Sequence, residues 1–501
     1  MTSEVILVQP QTSVTGSFIR MLPIGLLYAA SRIVRAGYPV RILDARLSPS
    51  TDEADLDRMI NERTRIVGVS VMSGVSVIEA VRLSRFVKAR HPHVSVVWGG
   101  PHPTFSPRDV LEEASVDFII RGYGSEPFHQ LFTHMIDAPG APAKADIHGL
   151  SWRDDQGQVH HNEVAPAFEF MDYRDIPYHL IPDRSAYRHI NEEEVVVPLY
   201  SVMGCPYQCA FCSSPALYAL FSKRWQPYPV EAVVAHIALV QERYGATLIY
   251  FIDDDSFVDL RHVESIIDEI NRRNIRIKLA FRGARINEVV AMSDAFLDKL
   301  VAAGTNAMHI GAESGCDRLL GLMRKNITTA QTLEANRKLA RHQAITVFYN
   351  FIVGFPTETL EETKMTRDLI LQLIRENPRC IVIPLNKPRP LPGTELYDLA
   401  VRYGYEPPAS LAEWGNYELE ASDYNPAWLT REHNQFIRMM FLSMYFIDGK
   451  IFIMTSKGSL KYALLKGMAW LYRPIALFRF TFGIHQFLVE DRIYDIVKKF
   501  L

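Results

Sequence analysis

The chain has 501 residues, two to three times the ~150 residues of a typical domain, so a single small binding module is excluded. It carries 54 basic and 57 acidic side chains, and 48% of its residues are hydrophobic, which excludes a largely disordered or broadly nucleic-acid-binding chain. Five cysteines are too few for a disulfide-stapled secreted fold, and three of them, Cys205, Cys209 and Cys212, lie close together.

The first residues, MTSEVILVQP, contain the acidic Glu4 and run directly into an apolar stretch, so we expect no secretion or transit signal. Uninterrupted apolar runs stay below the ~18 residues that a membrane-spanning helix needs. We expect a cytoplasmic monomer that acts on a small-molecule substrate and binds no nucleic acid.

Residues 1–140 alternate short β-branched runs with amphipathic stretches, as in VILVQ, VRILDA and IVGVSVM. Continuous apolar strands separated by helices predict an α/β domain with a parallel, doubly wound, Rossmann-like sheet covered on both faces. A dinucleotide site is disfavoured because no G-x-G-x-x-G follows the first strand.

Ligands of doubly wound sheets bind at the carboxyl ends of the strands. There the sequence places small, turn-forming and polar residues: Ser73 and Gly74 after the third strand, Gly99, Gly100, Pro101 and His102 after the fourth, and Gly122, Gly124 and Glu126 after the fifth. Glycine lets a backbone approach a bulky ligand closely, but it serves an ordinary turn equally well. Both interpretations stay open here, and so do a ligand contact and a turn cap for His102.

Residues 141–194 are interpreted as a linker or bridge with a hairpin around Asp155-Gln156-Gly157. Residues 195–395 hold a second series of six strand-like runs with helices between them: VVVPLYSV, LIYFID, RIKLAFRG, NAMHIGAES, ITVFYNFIVG and CIVIPLN. Six units predict a partial (β/α)6 barrel of TIM type. Because barrel chemistry gathers at the C-terminal strand ends, it is notable that the three cysteines follow the first strand.

Residues 396–501 predict a mainly helical C-terminal domain. Between residues 450 and 479 the sequence has basic side chains but no acidic ones: Lys450, Lys457, Lys461, Lys466, Arg473 and Arg479. Such a stretch can rest on anionic lipid or bind an apolar substrate, or it can be the solvated face of a cap packed on the barrel. Peripheral membrane contact is therefore one of three open expectations.

The cysteine spacing is C-x₃-C-x₂-C, from Cys205 through Cys209 to Cys212. A zinc site normally takes four ligands, and no fourth cysteine or histidine lies nearby at zinc-finger spacing. A redox C-x-x-C would leave Cys205 unexplained. Three thiolates on one tight loop can instead hold three irons of a [4Fe-4S] cubane and leave the fourth iron open, which is a catalytic arrangement.

This motif, with the aromatic Phe211 before the third cysteine, resembles the signature of the radical S-adenosylmethionine (SAM) enzymes. The resemblance implies that SAM chelates the open iron through its amino and carboxylate groups. It also implies that one electron, from a donor such as flavodoxin or ferredoxin, cleaves SAM to a 5′-deoxyadenosyl radical, which removes a hydrogen atom from the substrate. Replacing the three cysteines with alanine should abolish deoxyadenosine formation.

Four further segments resemble the family's SAM-binding strand ends. Asp253, Asp254 and Asp255 stand where the family often has Gly-Gly-Glu, so which of them receives the methionine amino group is open. Arg282, in the run Arg282-Gly-Ala-Arg285, matches a cation for the methionine carboxylate. The remaining matches follow the fourth and fifth strands: Glu313 and Ser314 in the ribose segment, and Val353, Gly354 and Pro356 in the adenine segment.

A doubly wound domain ahead of such a barrel resembles the cobalamin-binding subset of this family, over roughly residues 1–400. The strand-end residues from Ser73 to Glu126 named above are then the expected cobalamin contacts. The motif D-x-H-x-x-G, whose histidine binds cobalt, is absent because Asp44 is followed by Ala45 and Arg46. We therefore expect cobalamin without a protein histidine ligand.

The resemblance implies a methyltransferase that moves a methyl group from methylcobalamin to an unactivated carbon of a natural-product or lipid intermediate. The closest alternative is an oxidative cyclase similar to the anaerobic magnesium-protoporphyrin ester cyclase. A third alternative is a barrel enzyme whose first domain binds no cobalamin, and a non-enzymatic cobalamin or redox sensor is disfavoured. Cys316 and Cys380 are interpreted as small buried hydrophobic residues, with a place for Cys316 in the active site as the alternative.

Overall fold

The computed structural model describes residues 4–12, 21–48, 50–168, 170–184, 186–187, 194–382, 385–416, 425–447, 460–486 and 488. The chain forms two compact units. The first comprises Met1–Arg188, Ala216–Arg224 and Pro407–Glu420, and the second comprises His189–Pro215, Trp225–Glu406 and Ala421–Leu501.

The first unit is built on one sheet of seven strands: β1 Glu4–Gln9, β2 Val40–Asp44, β3 Thr64–Ser70, β4 Ser95–Gly99, β5 Phe118–Ile120, β6 Leu150–Arg153 and β7 Val159–His161. Its helices are α1 Ile24–Arg35, α2 Asp52–Met59, α3 Val75–Arg90, α4 Pro101–Phe105, α5 Pro107–Glu112 and α6 Ser125–Met135.

The strand order is β2-β1-β3-β4-β5-β6-β7, and the first five strands are parallel. This is the doubly wound order with a topological switch between β1 and β3. The strands are continuously apolar because helices cover both faces, and side chains such as Val5, Leu7, Ile66 and Phe132 form the core. The predicted doubly wound domain is confirmed.

The hairpin expected around Gly157 is part of the first sheet and not a separate bridge between domains. Strand β6 pairs antiparallel with β5, and β7 pairs with β6, so the hairpin extends the first sheet. Gly157 has a φ of +79°, which suits its place in the turn. The first unit therefore runs beyond the expected boundary at residue 140, and the segment Pro407–Glu420 also belongs to it rather than to a separate C-terminal domain.

The second unit contains strands β8 Val196–Leu199, β9 Val202–Gly204, β10 Trp225–Pro227, β11 Leu248–Phe251, β12 Lys278–Arg285, β13 Thr305–Glu313, β14 Thr346–Phe351 and β15 Cys380–Val382. Its helices up to the end of the barrel are α7 Ser214–Tyr218, which begins in this unit, α8 Val230–Tyr244, α9 Leu260–Arg272, α10 Ile286–Ala291, α11 Asp294–Ala302, α12 Asp317–Leu322, α13 Thr329–Ala340 and α14 Leu360–Glu376.

Six strands form a parallel sheet in the order β15-β14-β13-β12-β11-β8, with β8 and β15 at its two edges. The six predicted strand regions are thus confirmed as a partial barrel. One face is fully buried, as at Ile249, Ile310 and Tyr349, whereas Tyr250, His309 and Phe348 on the other face are half-buried.

The first strand of this series ends earlier than the run VVVPLYSV suggests. Ser201 and Val202 turn their backbone N–H groups onto the carboxylate of Asp253, at 2.8 and 3.1 Å, which breaks the strand after Leu199. The chain resumes as β9, which pairs antiparallel with β10. This break directs the chain into the cysteine loop.

The C-terminal part is helical, as expected, with α15 Glu395–Arg402, α16 Arg431–Ile447 and α17 Leu460–Phe482. Among the described helices, none is both long and apolar enough to cross a membrane. Large apolar side chains of α17, including Trp470, Leu471 and Phe482, are exposed. Lys450 and Lys457 of the basic stretch lie outside the described residues.

Candidate functional site

The three cysteines lie on a loop that backbone hydrogen bonds fix from two sides. Ala210 N donates to Met323 O at 3.0 Å, and Leu396 N donates to Ala210 O at 2.8 Å. Cys212 N donates to Cys209 O at 3.1 Å, which closes the turn between the second and third cysteines. The loop is therefore held in one position.

The donor set fits an iron–sulfur cubane. All three cysteines are half-buried free thiols, and burial raises the pKa of Cys205 and of Cys212. Within the described parts of the chain, no three His, Cys, Asp or Glu side chains converge on a single metal ion. A cubane does not need such convergence, because each thiolate binds a different iron.

Phe211, the aromatic residue of the motif, supports the loop through apolar contacts. It packs against a cluster that contains Cys316, Met323, Phe355 and Leu396. Cys316 is 5% exposed, and its thiol donates to Glu362 Oε1 at 3.3 Å, while Cys380 is fully buried. Both cysteines therefore have the buried positions that the sequence favours.

Asp253 has a structural task. Its carboxylate accepts from Ser201 N, from Ser201 Oγ at 2.5 Å, from Val202 N and from Ser256 Oγ at 2.9 Å. Burial raises its pKa to about 6, although these hydrogen bonds act in the opposite direction. Its oxygens are occupied in shaping the strand break.

The next two aspartates differ sharply from each other. Asp255 is buried, and burial together with the adjacent carboxylate of Glu288 raises its pKa well above the usual range. Asp254 is exposed and accepts from Ser214 Oγ at 3.1 Å, two residues after Cys212. Of the three, Asp254 is the carboxylate next to the cysteine loop that faces solvent.

The cation that reaches the cysteines is Arg285, whereas Arg282 is exposed. Arg285 Nη1 lies 3.2 Å from Cys209 Sγ, and its guanidinium carbon lies 3.8 Å from the centroid of the Tyr207 ring. Side chains three apart on a strand face opposite sides, so the sequence run indicates that only one of these arginines faces the loop. It does not indicate which one.

The ribose segment contains a buried ion pair that sequence reasoning missed. Lys325 Nζ donates to Glu313 Oε1 at 2.8 Å, and both side chains are 7% exposed. Glu313 has a φ of +60°, a strained value for a residue with a side chain. Ser314 is fully buried, and its hydroxyl accepts from Cys316 N at 3.1 Å.

The adenine segment is held by a buried carboxylate that no motif indicated. Glu358 Oε2 accepts from Gly354 N at 2.6 Å and from Phe355 N at 2.8 Å, and Thr363 Oγ1 donates to Oε1 at 2.6 Å. Burial raises the pKa of Glu358 to about 7. Val353 is fully buried and Pro356 is buried, while Trp428 Nε1 donates to Gly354 O at 2.8 Å.

In the first unit, His102 stands at the carboxyl edge of the sheet. Ser73 Oγ lies 3.0 Å from His102 Nδ1, and the ring of Trp414 packs edge-on at 5.0 Å. Burial lowers the pKa of His102 to about 4, so the imidazole is neutral. Its Nε2 is buried without a hydrogen-bond partner among the described residues, which fits a ligand at this edge.

Close contacts within the first unit explain why two positions near His102 are glycine. A Cβ on Gly100 would meet Val71 O at 2.9 Å, and one on Gly122 would meet a methyl of Val164 at 2.9 Å. Gly74 and Gly124 directly precede helices α3 and α6, Gly99 is the last residue of β4, and Pro101, the first residue of α4, is exposed. Glu126 forms an ion pair with Arg32 at 3.0 Å. The cobalamin contacts expected at these residues stay predictions.

Asp44, where a D-x-H-x-x-G motif would begin, is engaged inside the first unit. Arg46 Nη2 lies 2.5 Å from Asp44 Oδ2, and the Tyr187 hydroxyl donates to the same oxygen at 3.0 Å. The position therefore carries an ion pair between a buried aspartate and a partly buried arginine instead of a histidine ligand.

Two family models match the chain: the radical SAM superfamily over residues 199–370, and the B12 binding domain over residues 19–132. The first match lies within the barrel region, and the second lies within the doubly wound domain. They confirm the three predicted cofactors, because the first implies a [4Fe-4S] cluster and SAM, and the second implies cobalamin.

The chain is 30% identical over 387 residues to an uncharacterized methyltransferase of Pyrococcus horikoshii, which covers 76% of this chain and 78% of the relative. It is 26% identical to the anaerobic magnesium-protoporphyrin IX monomethyl ester cyclase of Synechocystis sp., over 69% and 68%. Among solved structures, the cobalamin-dependent SAM radical enzyme OxsB, with aqua-cobalamin and SAM bound, shares the fold at a TM-score of 0.68 and 16% identity, over 95% of this chain and 72% of that one. The chain therefore belongs to the cobalamin-binding radical SAM enzymes.

Proposed function

We propose that the protein is a methyltransferase that removes a hydrogen atom from an unactivated carbon of a natural-product or lipid intermediate and places a methyl group there. The observation that carries this proposal is the fixed loop of three free thiols at the carboxyl edge of a partial barrel, in a chain that also has a B12 binding domain. The similarity to a relative named as a methyltransferase supports the choice of reaction.

When bound, the cluster supplies one electron to SAM and cobalamin supplies the methyl group. The side chains of this protein hold and orient these groups. Cys205, Cys209 and Cys212 are the ligands of three irons. Asp254, exposed beside the third cysteine, is the best placed of the three aspartates to receive the methionine amino group.

Two further segments fix the shape of the SAM-binding region. The Lys325–Glu313 pair lies over Gly311, where a Cβ would meet Glu313 Oε1 at 2.1 Å. Glu358 fixes the Gly354 backbone by accepting from two consecutive N–H groups. Such fixed positions favour reaction because they orient bound groups before the chemical step.

The half-buried face of the barrel sheet suits a substrate with an apolar body. His309 stacks on Phe348 with centroids 4.5 Å apart, and Tyr250 packs edge-on against His309 at 5.8 Å. Aromatic rings offer large contact area and exclude water from a radical. A low-potential donor such as flavodoxin or ferredoxin supplies the electron.

The second candidate is an oxidative cyclase, which the 26% identity to the magnesium-protoporphyrin ester cyclase favours. The two functions differ in the fate of the SAM methyl group. A methyltransferase transfers it, whereas a cyclase does not need it.

The test uses anaerobically reconstituted protein, reduced cobalamin and deuteromethyl-labelled SAM, without any substrate. The proposal predicts S-adenosylhomocysteine and label in the recovered cobalamin. Radical cleavage of SAM with no label in cobalamin would contradict it and favour the cyclase. Protein that retains no cobalamin during anaerobic purification would favour a barrel enzyme without this cofactor.

A further inference from the structure

Arg285 is a buried cation without a carboxylate partner among the residues that the structure describes. It is 5% exposed. Its Nη1 lies 3.2 Å from Cys209 Sγ, its Nη2 donates to Lys325 O, and its Nε donates to Asn287 Oδ1 at 3.4 Å. Of these three acceptors, only the sulfur can carry a negative charge.

Among the described residues, no carboxylate forms an ion pair with the guanidinium. Lys325, a second cation near the loop, has Glu313 as its counter-charge at 2.8 Å. Glu288 accepts from the Arg285 backbone N at 3.0 Å and from the Tyr207 hydroxyl at 2.7 Å, not from the guanidinium. The buried Asp255 carboxylate attracts the guanidinium electrostatically but forms no ion pair with it. The hydrogen bond to Cys209 Sγ is therefore the direct contact of the guanidinium with a group that can carry a negative charge.

The position of this charge is tightly determined. The guanidinium carbon lies over the Tyr207 ring, 3.8 Å from its centroid, and the two other nitrogens donate to Lys325 O and Asn287. A buried cation is costly unless an anion pairs with it. Its placement beside a cluster ligand meets that need when the thiolates hold a cluster.

We propose that Arg285 raises the reduction potential of the [4Fe-4S] cluster by donating a hydrogen bond to Cys209 Sγ and by keeping a positive charge beside it. Reduction transfers one electron from a low-potential donor to the cluster and adds one negative charge. Hydrogen bonds to cluster sulfurs and a nearby cation stabilise that added charge. The inference rests on the cluster of the proposed function and not on methyl transfer.

The test is a redox titration of the reconstituted full-length protein, followed by electron paramagnetic resonance of the reduced cluster, without SAM or substrate. Arg285→Gln should make the cluster at least tenfold harder to reduce, which is 59 mV or more toward negative potential for a one-electron couple. Arg285→Lys keeps the charge but loses the flat fork over Tyr207, so its potential should fall between the two.

The matched control is Arg261→Gln, which removes a positive charge from a side chain that is 91% exposed on α9. It should leave the reduction potential of the cluster at the wild-type value, because solvent screens an exposed charge. A potential in Arg285→Gln that agrees with wild type and control, or that becomes more positive, overturns the inference.

The iron and sulfide content of each variant shows whether the substitution changed the reduction potential of the cluster or prevented the cluster from assembling. If Arg285→Gln holds no cluster, the titration of Arg285→Lys decides: the inference requires a lower potential than wild type, and an unchanged potential overturns it. Either result leaves the proposed function standing, because the labelled-SAM experiment measures a different product. A wild-type protein that assembles no cluster contradicts the proposed function itself.

Discussion

At the scale of single residues, three adjacent aspartates have three different environments. Asp253 gives its oxygens to four hydrogen bonds, Asp255 shares a buried site with Glu288, and Asp254 is exposed beside Ser214. The sequence shows only that a carboxylate follows the second barrel strand. Which one is exposed beside the cysteine loop depends on the strand break at Ser201, and that break is a long-range contact.

Asp254→Asn and Asp253→Asn should therefore affect different properties, the first SAM binding and the second stability. Asp254→Asn should keep the thermal midpoint and weaken SAM binding about tenfold, because it removes a charge at the solvent-facing position. Asp253→Asn should cost about 1–3 kcal/mol of stability, because buried donors lose an acceptor. Calorimetric SAM titration and thermal unfolding check both, and a lowered midpoint with normal SAM affinity in Asp254→Asn would contradict the assignment.

Glu358 predicts a pH dependence of stability. Its pKa is raised by burial to about 7, above the ordinary 4.5, so the folded state holds a proton that the unfolded state has lost between these values. Stability from this group is therefore fully present below about pH 4.5, and it falls as pH rises to 7, by roughly 3 kcal/mol at most.

Glu358→Gln stays neutral at every pH, so its thermal midpoint relative to wild type should become more favourable between pH 5.5 and 8. The comparison at two pH values cancels the constant cost of changing the side chain. A difference between the two proteins that is independent of pH would show that Glu358 is already ionised in the folded state at pH 5.5.

At the scale of elements, the strands with continuous apolar runs were predictable, because buried parallel strands have that pattern and helices separate them. The break after Leu199 and the pairing of β6 with β5 were not predictable, because both depend on partners distant in sequence. The cysteine loop was predictable from its spacing alone. Its supports, Met323 O and Leu396 N, lie more than a hundred residues away.

The contact between the ribose segment and α14 offers a test at this scale. A Cβ on Gly315 would lie 2.5 Å from Met365 O and from Thr366 Cα, so Gly315→Ala forces the helix backbone away. It should cost about 1–3 kcal/mol and weaken SAM binding.

Gly321→Ala is the matched control, because nothing lies within 4 Å of its Cβ position on α12. It should be neutral or stabilise the protein by up to about 1 kcal/mol. Thermal unfolding measures both changes, and equal midpoints for the two variants would contradict the close packing of Gly315.

At the scale of the whole molecule, one chain combines two cofactor-binding folds, and their order along the sequence was predictable. The residue limits of the two compact units were not predictable from the sequence. Residues 407–420 belong to the first unit through contacts such as Trp414 on His102, and Gly415 lies where a Cβ would meet Ile78. A late segment of the chain that packs into an earlier unit is not marked by its own amino-acid composition.

The proposed reaction requires that Cys205, Cys209 and Cys212 hold a cluster that cleaves SAM. The most direct measurement is 5′-deoxyadenosine formed by anaerobically reconstituted protein with SAM and a strong reductant, compared with a variant in which all three cysteines are alanine. We expect deoxyadenosine from the wild type and none from the variant. Equal amounts from both proteins would contradict this expectation.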